Sequence, residues 1–139
     1  MKKQGLEAER ADIRNRYRIY KHGANKRNLA FELTPEEFTM IVKQNCTYCG
    51  AAPTNTTYRS GKRRIPVALN GIDRLYCEEG YHLGNVLPAC HICNMAKNTL
   101  NIQQFQRWLD RIVLFRTRKA GPNAVDSNGK VTSKYEHEP

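Results

Sequence analysis

Apolar positions recur at helical spacing through the first part of the chain. Ile13, Tyr17, Tyr20 and Ala24 share one face over residues 6–27, with Arg10, Arg14, Arg16, Arg18 and Lys21 on the others, which predicts an amphipathic helix. Packing against the domain is the expected job of those tyrosines. Residues 28–33 read as extended. Thr34-Pro35-Glu36-Glu37 then makes a helix start, with Thr34 as N-cap, Pro35 in the first turn and Glu37 closing a capping box. Phe38, Ile41 and Val42 supply that helix with a buried stripe. Residues 51–64 are polar and irregular. Residues 65–73 are apolar and partly β-branched and predict a strand, with Pro66 tolerated at its beginning. Gly80 marks a turn, residues 85–87 a short second strand stopped by Pro88, and residues 91–97 a helix. Asn101, with Gln104 three residues on, predicts the cap of a last helix whose apolar stripe is Phe105, Trp108, Leu109 and Ile112, with Trp108 in the core. From Gly121 onward Gly, Pro, Asn and Ser dominate, and no ordered structure is expected. The expected organisation is a basic helical arm over 1–33, one folded domain over 34–118 and a disordered tail over 119–139.

Composition narrows the partners. With 139 residues, 40% of them hydrophobic, there is room for one domain with a modest core. No apolar run approaches the ~18 residues of a membrane span, so no membrane partner is expected. Met1-Lys2-Lys3-Gln4-Gly5 is basic but lacks an apolar stretch, so a cytoplasmic location is expected rather than secretion. The 23 Lys and Arg against 13 acids give a net charge of +10. Such an excess favours a polyanion, most simply nucleic acid, held by phosphate contacts and counterion release. It is also concentrated. Residues 1–30 carry nine Lys or Arg and three acids, and Arg59, Lys62, Arg63 and Arg64 have no acid among them. Arg14, Arg16, Arg18, Arg63 and Arg64 are the expected DNA-backbone contacts.

The cysteines bring in chemistry. Cys46-Thr47-Tyr48-Cys49 and Cys90-His91-Ile92-Cys93 are two Cys-x-x-Cys knuckles separated by residues 50–89. Paired knuckles suit one tetrahedral zinc, because each short loop presents two sulfurs at about 2.3 Å from a common centre. Two disulfides or buried free thiols are the competing reading, and an odd count of five cysteines fits a reducing compartment better, with Cys77 left as a free thiol. Between the knuckles lies Asn70-Gly71-Ile72-Asp73-Arg74, and directly after the last cysteine comes Asn94, with Lys97 three residues on. Asp73 and Asn94 supply a carboxylate and an amide oxygen, donors of the kind Mg²⁺ takes from a protein while keeping water and phosphate in its other sites.

Cys46/Cys49, Gly71 to Arg74, Gly80-Tyr81, Asn85-Val86 and Cys90 to Lys97 together resemble the HNH endonucleases of the ββα-metal class. The similarity is narrower still to small phage and prophage HNH proteins with a Cys₄ zinc site, and it covers roughly residues 14–115. The resemblance implies an α+β fold: a small ββα-metal core with a structural Cys₄ zinc, flanked by N-terminal and C-terminal helices. It implies that Asp73 and Asn94 hold a catalytic Mg or Mn, and that Asn85 pins the loop orienting the catalytic strand. Lys97 is expected to reach a phosphate. One position departs from the common pattern, where Asp-His ends the first strand and the His is the general base. Here the pair is Asp73-Arg74, a form that recurs in the phage subgroup. An arginine stays protonated at neutral pH, so Arg74 is expected to hold phosphate rather than accept a proton. The base is then sought in His91, i, i+3 from Asn94, in His82, or in water activated by the ion.

The leading expectation is a metal-dependent DNA endonuclease, of phage or prophage origin, that nicks duplex DNA or cuts both strands. The alternatives are a zinc-stabilised DNA-binding module without hydrolysis, and a phage packaging accessory protein. Target sequence, cutting mode and oligomeric state are not legible.

Overall fold

The computed structural model describes residues 2–53, 55–57, 66–117, 123–125, 128 and 131–133. The chain forms two compact units, Met1–Asn101 and Ile102–Pro139. The first contains α1 (Lys2–Lys26), α2 (Pro35–Val42), β1 (Asn55–Thr57), β2 (Pro66–Ala68), β3 (Gly71–Arg74), β4 (Val86–Ala89) and α3 (His91–Lys97). The second contains α4 (Ile102–Thr117), β5 (Asn123–Val125) and β6 (Val131–Ser133).

Rather than forming a separate arm, α1 is built into the first unit's core. Ile13 and Ala24 are buried in one cluster with Leu33, Phe38, Val42 and Ile72, and Tyr17 and Tyr20 pack against it. Both tyrosine rings meet Phe38 edge-on, at 5.5 and 5.6 Å between centroids. The helix stops in a Schellman motif. Asn28 takes a positive φ of 56°, its N–H bonds Asn25 O, and the Leu29 N–H reaches back to Ala24 O, each at 3.0 Å. At α2 the capping box is present: Thr34 Oγ1 accepts from the Glu37 N–H at 3.2 Å, and Glu37 Oε2 accepts from the Thr34 N–H at 2.8 Å.

The apolar run over residues 65–73 is two strands rather than one. At the break, the Asn70 N–H and side-chain amide bond Val42 O and Gln44 O, both at 2.8 Å. Asn70 thereby satisfies carbonyls at the end of α2 instead of continuing a ladder. β2 pairs antiparallel with β1, a strand that the polar sequence of residues 51–64 does not announce, and β3 pairs antiparallel with β4. Pro88 does not end β4 but lies within it, opposite Ile72. The reason is the pairing type. The Ile72 N–H points away from β4 and donates to Tyr20 Oη at 3.0 Å, so Ile72/Pro88 is a non-hydrogen-bonded pair and the missing proline N–H leaves no gap.

In the second unit α4 begins one residue after Asn101. Phe105 is buried and stacked on Trp108 at 5.7 Å, Trp108 and Leu109 are half-buried, and Ile112 is exposed. Past it, a region expected to lack structure contains the antiparallel pair β5–β6, with Val125 opposite Val131. The β-branched Val125 and Val131 suit paired strands. Among the described residues no helix is long and apolar enough to cross a membrane.

Candidate active site and metal centre

Each knuckle is a turn fixed by backbone bonds. Gly50, at φ 72°, closes the first: its N–H bonds Cys46 O, and the Cys46 N–H bonds Ala51 O, each at 2.9 Å. The Thr47 N–H ties this loop to Pro88 O at 2.9 Å, which brings it beside the second knuckle at the β4–α3 junction. There Cys90 is the N-cap of α3, its sulfur accepting from the Cys93 N–H at 3.4 Å. The four sulfurs of Cys46, Cys49, Cys90 and Cys93 lie within 4.8 Å of one another, with Cys49 and Cys90 at 3.8 Å. A tetrahedron with bonds of about 2.3 Å has sulfur–sulfur edges of about 3.8 Å, so the donor set fits zinc. Burial, then the neighbouring thiols of Cys90, Cys49 and Cys46, push Cys93 well up. Cys46 is drawn down to about 7: burial opposes ionisation, but backbone hydrogen bonds from Cys90, Cys49 and Tyr48 outweigh it. Cys77 lies outside this cluster, donating to Asn98 O at 3.5 Å.

Beside the centre is an open cleft of about 900 Å³, walled by α1, β3, α3 and the loop after β3, with Asp73, Arg74 and Asn94 among its lining residues. Asp73 is only 4% exposed. Tyr48 Oη donates to its Oδ2 at 2.5 Å, and Lys97 Nζ lies 3.4 Å from Oδ1 and 3.2 Å from Oδ2. The same ammonium donates to Arg74 O at 2.6 Å. Burial, reinforced by the Asp73 carboxylate, keeps the Tyr48 phenol protonated far above its ordinary range. Asn94 Nδ2 donates to Ile72 O at 3.3 Å, which leaves Oδ1 as the acceptor end of this cleft-lining side chain. The Arg74 guanidinium uses one nitrogen on Cys77 O and Glu79 O and lies 5.2 Å over the Tyr81 ring. Arg27, from the end of α1, donates to Tyr81 Oη at 2.9 Å on the same wall. Asn85 bonds the Tyr76 N–H, Tyr76 O and Gly80 O, at 2.9 to 3.0 Å, and so closes the loop between β3 and β4.

No protein-family model matches the chain. A stretch of 91 residues, 66% of the chain, is 40% identical to an uncharacterized protein of Acanthamoeba polyphaga mimivirus, and it spans 15% of that protein. Among solved structures, the rare-cutting HNH restriction endonuclease PacI aligns over 75% of this chain and 78% of its own, with a TM-score of 0.53 and 22% identity. The fold is HNH-like.

Within the HNH-like fold, Asp73, Arg74 and Asn94 come together on one cleft, while other expected residues stand elsewhere. Lys97 is the clearest correction. It was expected at a phosphate, yet it is 0% exposed and its ammonium is spent on Asp73 and Arg74 O. An i+3 step from Asn94 turns it inward under β3, where a buried cation is held by a carboxylate and a carbonyl. His91, at the start of α3, is exposed, and His82 pairs with Glu79 at 3.2 Å; neither lines the cleft. Asn94 lines the cleft with Asn98 one turn on, and His91 lies about 4.5 Å along the axis toward the cysteine end. Arg14 and Arg18 are exposed on a second groove of about 560 Å³, and Arg16 is engaged by Asp12 at 3.0 Å. Arg63 and Arg64 lie outside the described residues. Sequence reasoning missed Tyr48 and Arg27. Tyr20, Gly23 and Arg27 share a helical face by spacing, a signal for the α1 side of the cleft; Tyr48 carries none beyond its place inside the knuckle.

Proposed function

We propose that this protein is a metal-dependent endonuclease that hydrolyses DNA phosphodiesters, with zinc in the four-cysteine centre for structure and Mg²⁺ or Mn²⁺ at Asp73 and Asn94 for catalysis. The observation that carries this is one cleft, adjoining the cysteine centre, in which a buried carboxylate, an oriented amide and two guanidinium groups converge. Asp73 and Asn94 offer oxygen donors of the hard kind that these ions prefer. An ion bound there supplies Lewis-acid stabilisation of charge on the phosphoryl and leaving oxygens and activates water. Arg74 keeps its Nε and second terminal nitrogen for a phosphate oxygen, since its bonds to Cys77 O and Glu79 O use only one nitrogen. Those bonds also pre-orient the guanidinium, so little freedom is lost when the phosphate arrives. Arg27 adds a second positive group on the α1 wall. No side chain is assigned as general base, because no histidine among the described residues lines the cleft.

The test is incubation of zinc-loaded protein with supercoiled plasmid, with and without Mg²⁺ or Mn²⁺. Nicked or linear product is expected only with the divalent ion. Asn94→Ala is expected to lower the rate about a hundredfold or more, since the ion's contribution is several kcal/mol and each ~1.4 kcal/mol is tenfold. Ion-independent cutting, or full activity in Asn94→Ala, would sink the proposal. A zinc-stabilised DNA-binding module without hydrolysis is the second reading, favoured by one observation: Lys97 already neutralises Asp73 inside the fold. Plasmid binding with no cleavage under either ion would select it.

DNA binding itself is expected to be electrostatic. Replacing Arg14 and Arg18 by Ala weakens affinity for unrelated duplexes alike and flattens the salt slope by about 0.9 for each phosphate no longer neutralised. Arg16→Ala has a smaller effect, because Arg16 is already engaged by Asp12. Affinity that does not respond to salt would contradict this.

A further inference from the structure

Tyr48 links the four-cysteine centre to Asp73, which lines the cleft. Tyr48 lies between Cys46 and Cys49, so zinc binding to the flanking sulfurs fixes its backbone, and the Thr47 N–H bond to Pro88 O holds the same loop on β4. From that position its hydroxyl donates to Asp73 Oδ2 at 2.5 Å, while Lys97 Nζ approaches the same oxygen at 3.2 Å. Each carboxylate oxygen has two lone-pair directions. Oδ2 thus has two partners, the tyrosine's hydrogen bond and the ion-pair contact of Lys97. On Oδ1 the partner is Lys97 at 3.4 Å alone, a long contact that leaves a direction open. The side chain of Asp73 is thus asymmetric, with one oxygen facing inward to the tyrosine and the lysine and the other left to a ligand.

We propose that Tyr48 is a positioning residue: its hydroxyl fixes the Asp73 carboxylate so that Oδ1 is the oxygen offered to a divalent ion. This rests on the endonuclease reading of the cleft. The zinc centre then sets how tightly the cleft binds its own metal, through a bond from the ligand loop to the ligand carboxylate. Outer partners of metal-binding carboxylates characteristically act this way, by fixing orientation.

Tyr48→Phe removes the hydroxyl and keeps the ring, which packs against Cys46, Ala89 and Cys90. The variant is expected to fold with one zinc per chain and to bind plasmid as the wild type does. Its affinity for Mn²⁺, read by electron paramagnetic resonance of the free ion in zinc-loaded protein, is expected to fall about 10–100-fold. Nicking should then require correspondingly more Mn²⁺ and recover at saturation, a shift in metal dependence rather than in maximal rate. Unchanged Mn²⁺ affinity overturns the proposal. So does loss of zinc or of folding in Tyr48→Phe, which would make the hydroxyl a brace of the knuckle. Asp73→Asn separates the two levels. If it binds Mn²⁺ as tightly as the wild type, the cleft is not a divalent-ion site and the endonuclease reading fails. If only Tyr48→Phe matches the wild type, that reading stands and the role of Tyr48 alone is lost.

Discussion

Stripping zinc from the four-cysteine centre, or replacing Cys90 by Ser, is expected to unfold the Met1–Asn101 unit rather than loosen a loop. The centre joins the turn after α2 to the β4–α3 junction, two points far apart in sequence, and the apolar cluster around it is small: Cys46, Ala89 and Cys90, with Tyr48, Ala51 and Cys93 at its edge. Apparent zinc-binding energies of about 10–16 kcal/mol in zinc-finger peptides match or exceed the 5–15 kcal/mol that holds a whole domain together. Losing that contribution leaves little net stability. Far-ultraviolet circular dichroism through a thermal melt checks this, with metal analysis on the same samples. Cys77→Ser is the control and should retain both zinc and the melt, since its sulfur takes no part in the cluster. A chelated protein that still melts cooperatively at the native temperature would exclude a folding role for the centre.

Asp73→Ala is expected to cost about 3–5 kcal/mol of stability in addition to any loss of activity. The reason is Lys97. With the carboxylate gone, a fully buried ammonium keeps only the Arg74 carbonyl, and breaking a buried pair on one side leaves an uncompensated charge. Lys97→Met alone is expected to be destabilising too, because the buried Asp73 then keeps only Tyr48. In Asp73→Ala/Lys97→Met much of the loss should return, as the pair is replaced by apolar groups. Urea unfolding of the four proteins gives the coupling energy, and strictly additive single-mutant effects would show that the pair is not coupled. The practical consequence is that a dead Asp73→Ala cannot by itself identify a catalytic ligand. Asn94→Ala, which touches no buried charge, is the more informative variant.

Sequence made the local features legible where a short-range physical rule was at work. The capping box at Thr34, the bounds of α3 and the two knuckles follow from residue chemistry within a few positions, while the loop-pinning amide of Asn85 was legible only through the resemblance to HNH endonucleases. Lys97 was misread because helical spacing gives the angle between Asn94 and Lys97 but not which side of the helix meets β3. Pro88 was misread because a proline ends a strand only where the ladder needs its N–H, and that depends on a register no single strand contains. Tyr48 was invisible for a third reason: its partner is 25 positions away and is brought close by the knuckle's attachment to β4. The pair β5–β6 shows the opposite error, in which a polar composition outweighed the strand preference of two β-branched valines.

A sheet of two strands has two open edges, and an open edge invites another chain to add a strand. On β3 several outward groups of this small sheet are already used: the Ile72 N–H by Tyr20, Ile72 O by Asn94, and Arg74 O by Lys97. On β4, Pro88 has no N–H to offer and its carbonyl is taken by Thr47. Side chains around the cleft therefore also cover part of the strand it is built on. Asn94→Ala frees the Ile72 carbonyl on that edge as it removes a ligand, and aggregation by strand addition becomes a hazard to control for in any assay that uses it.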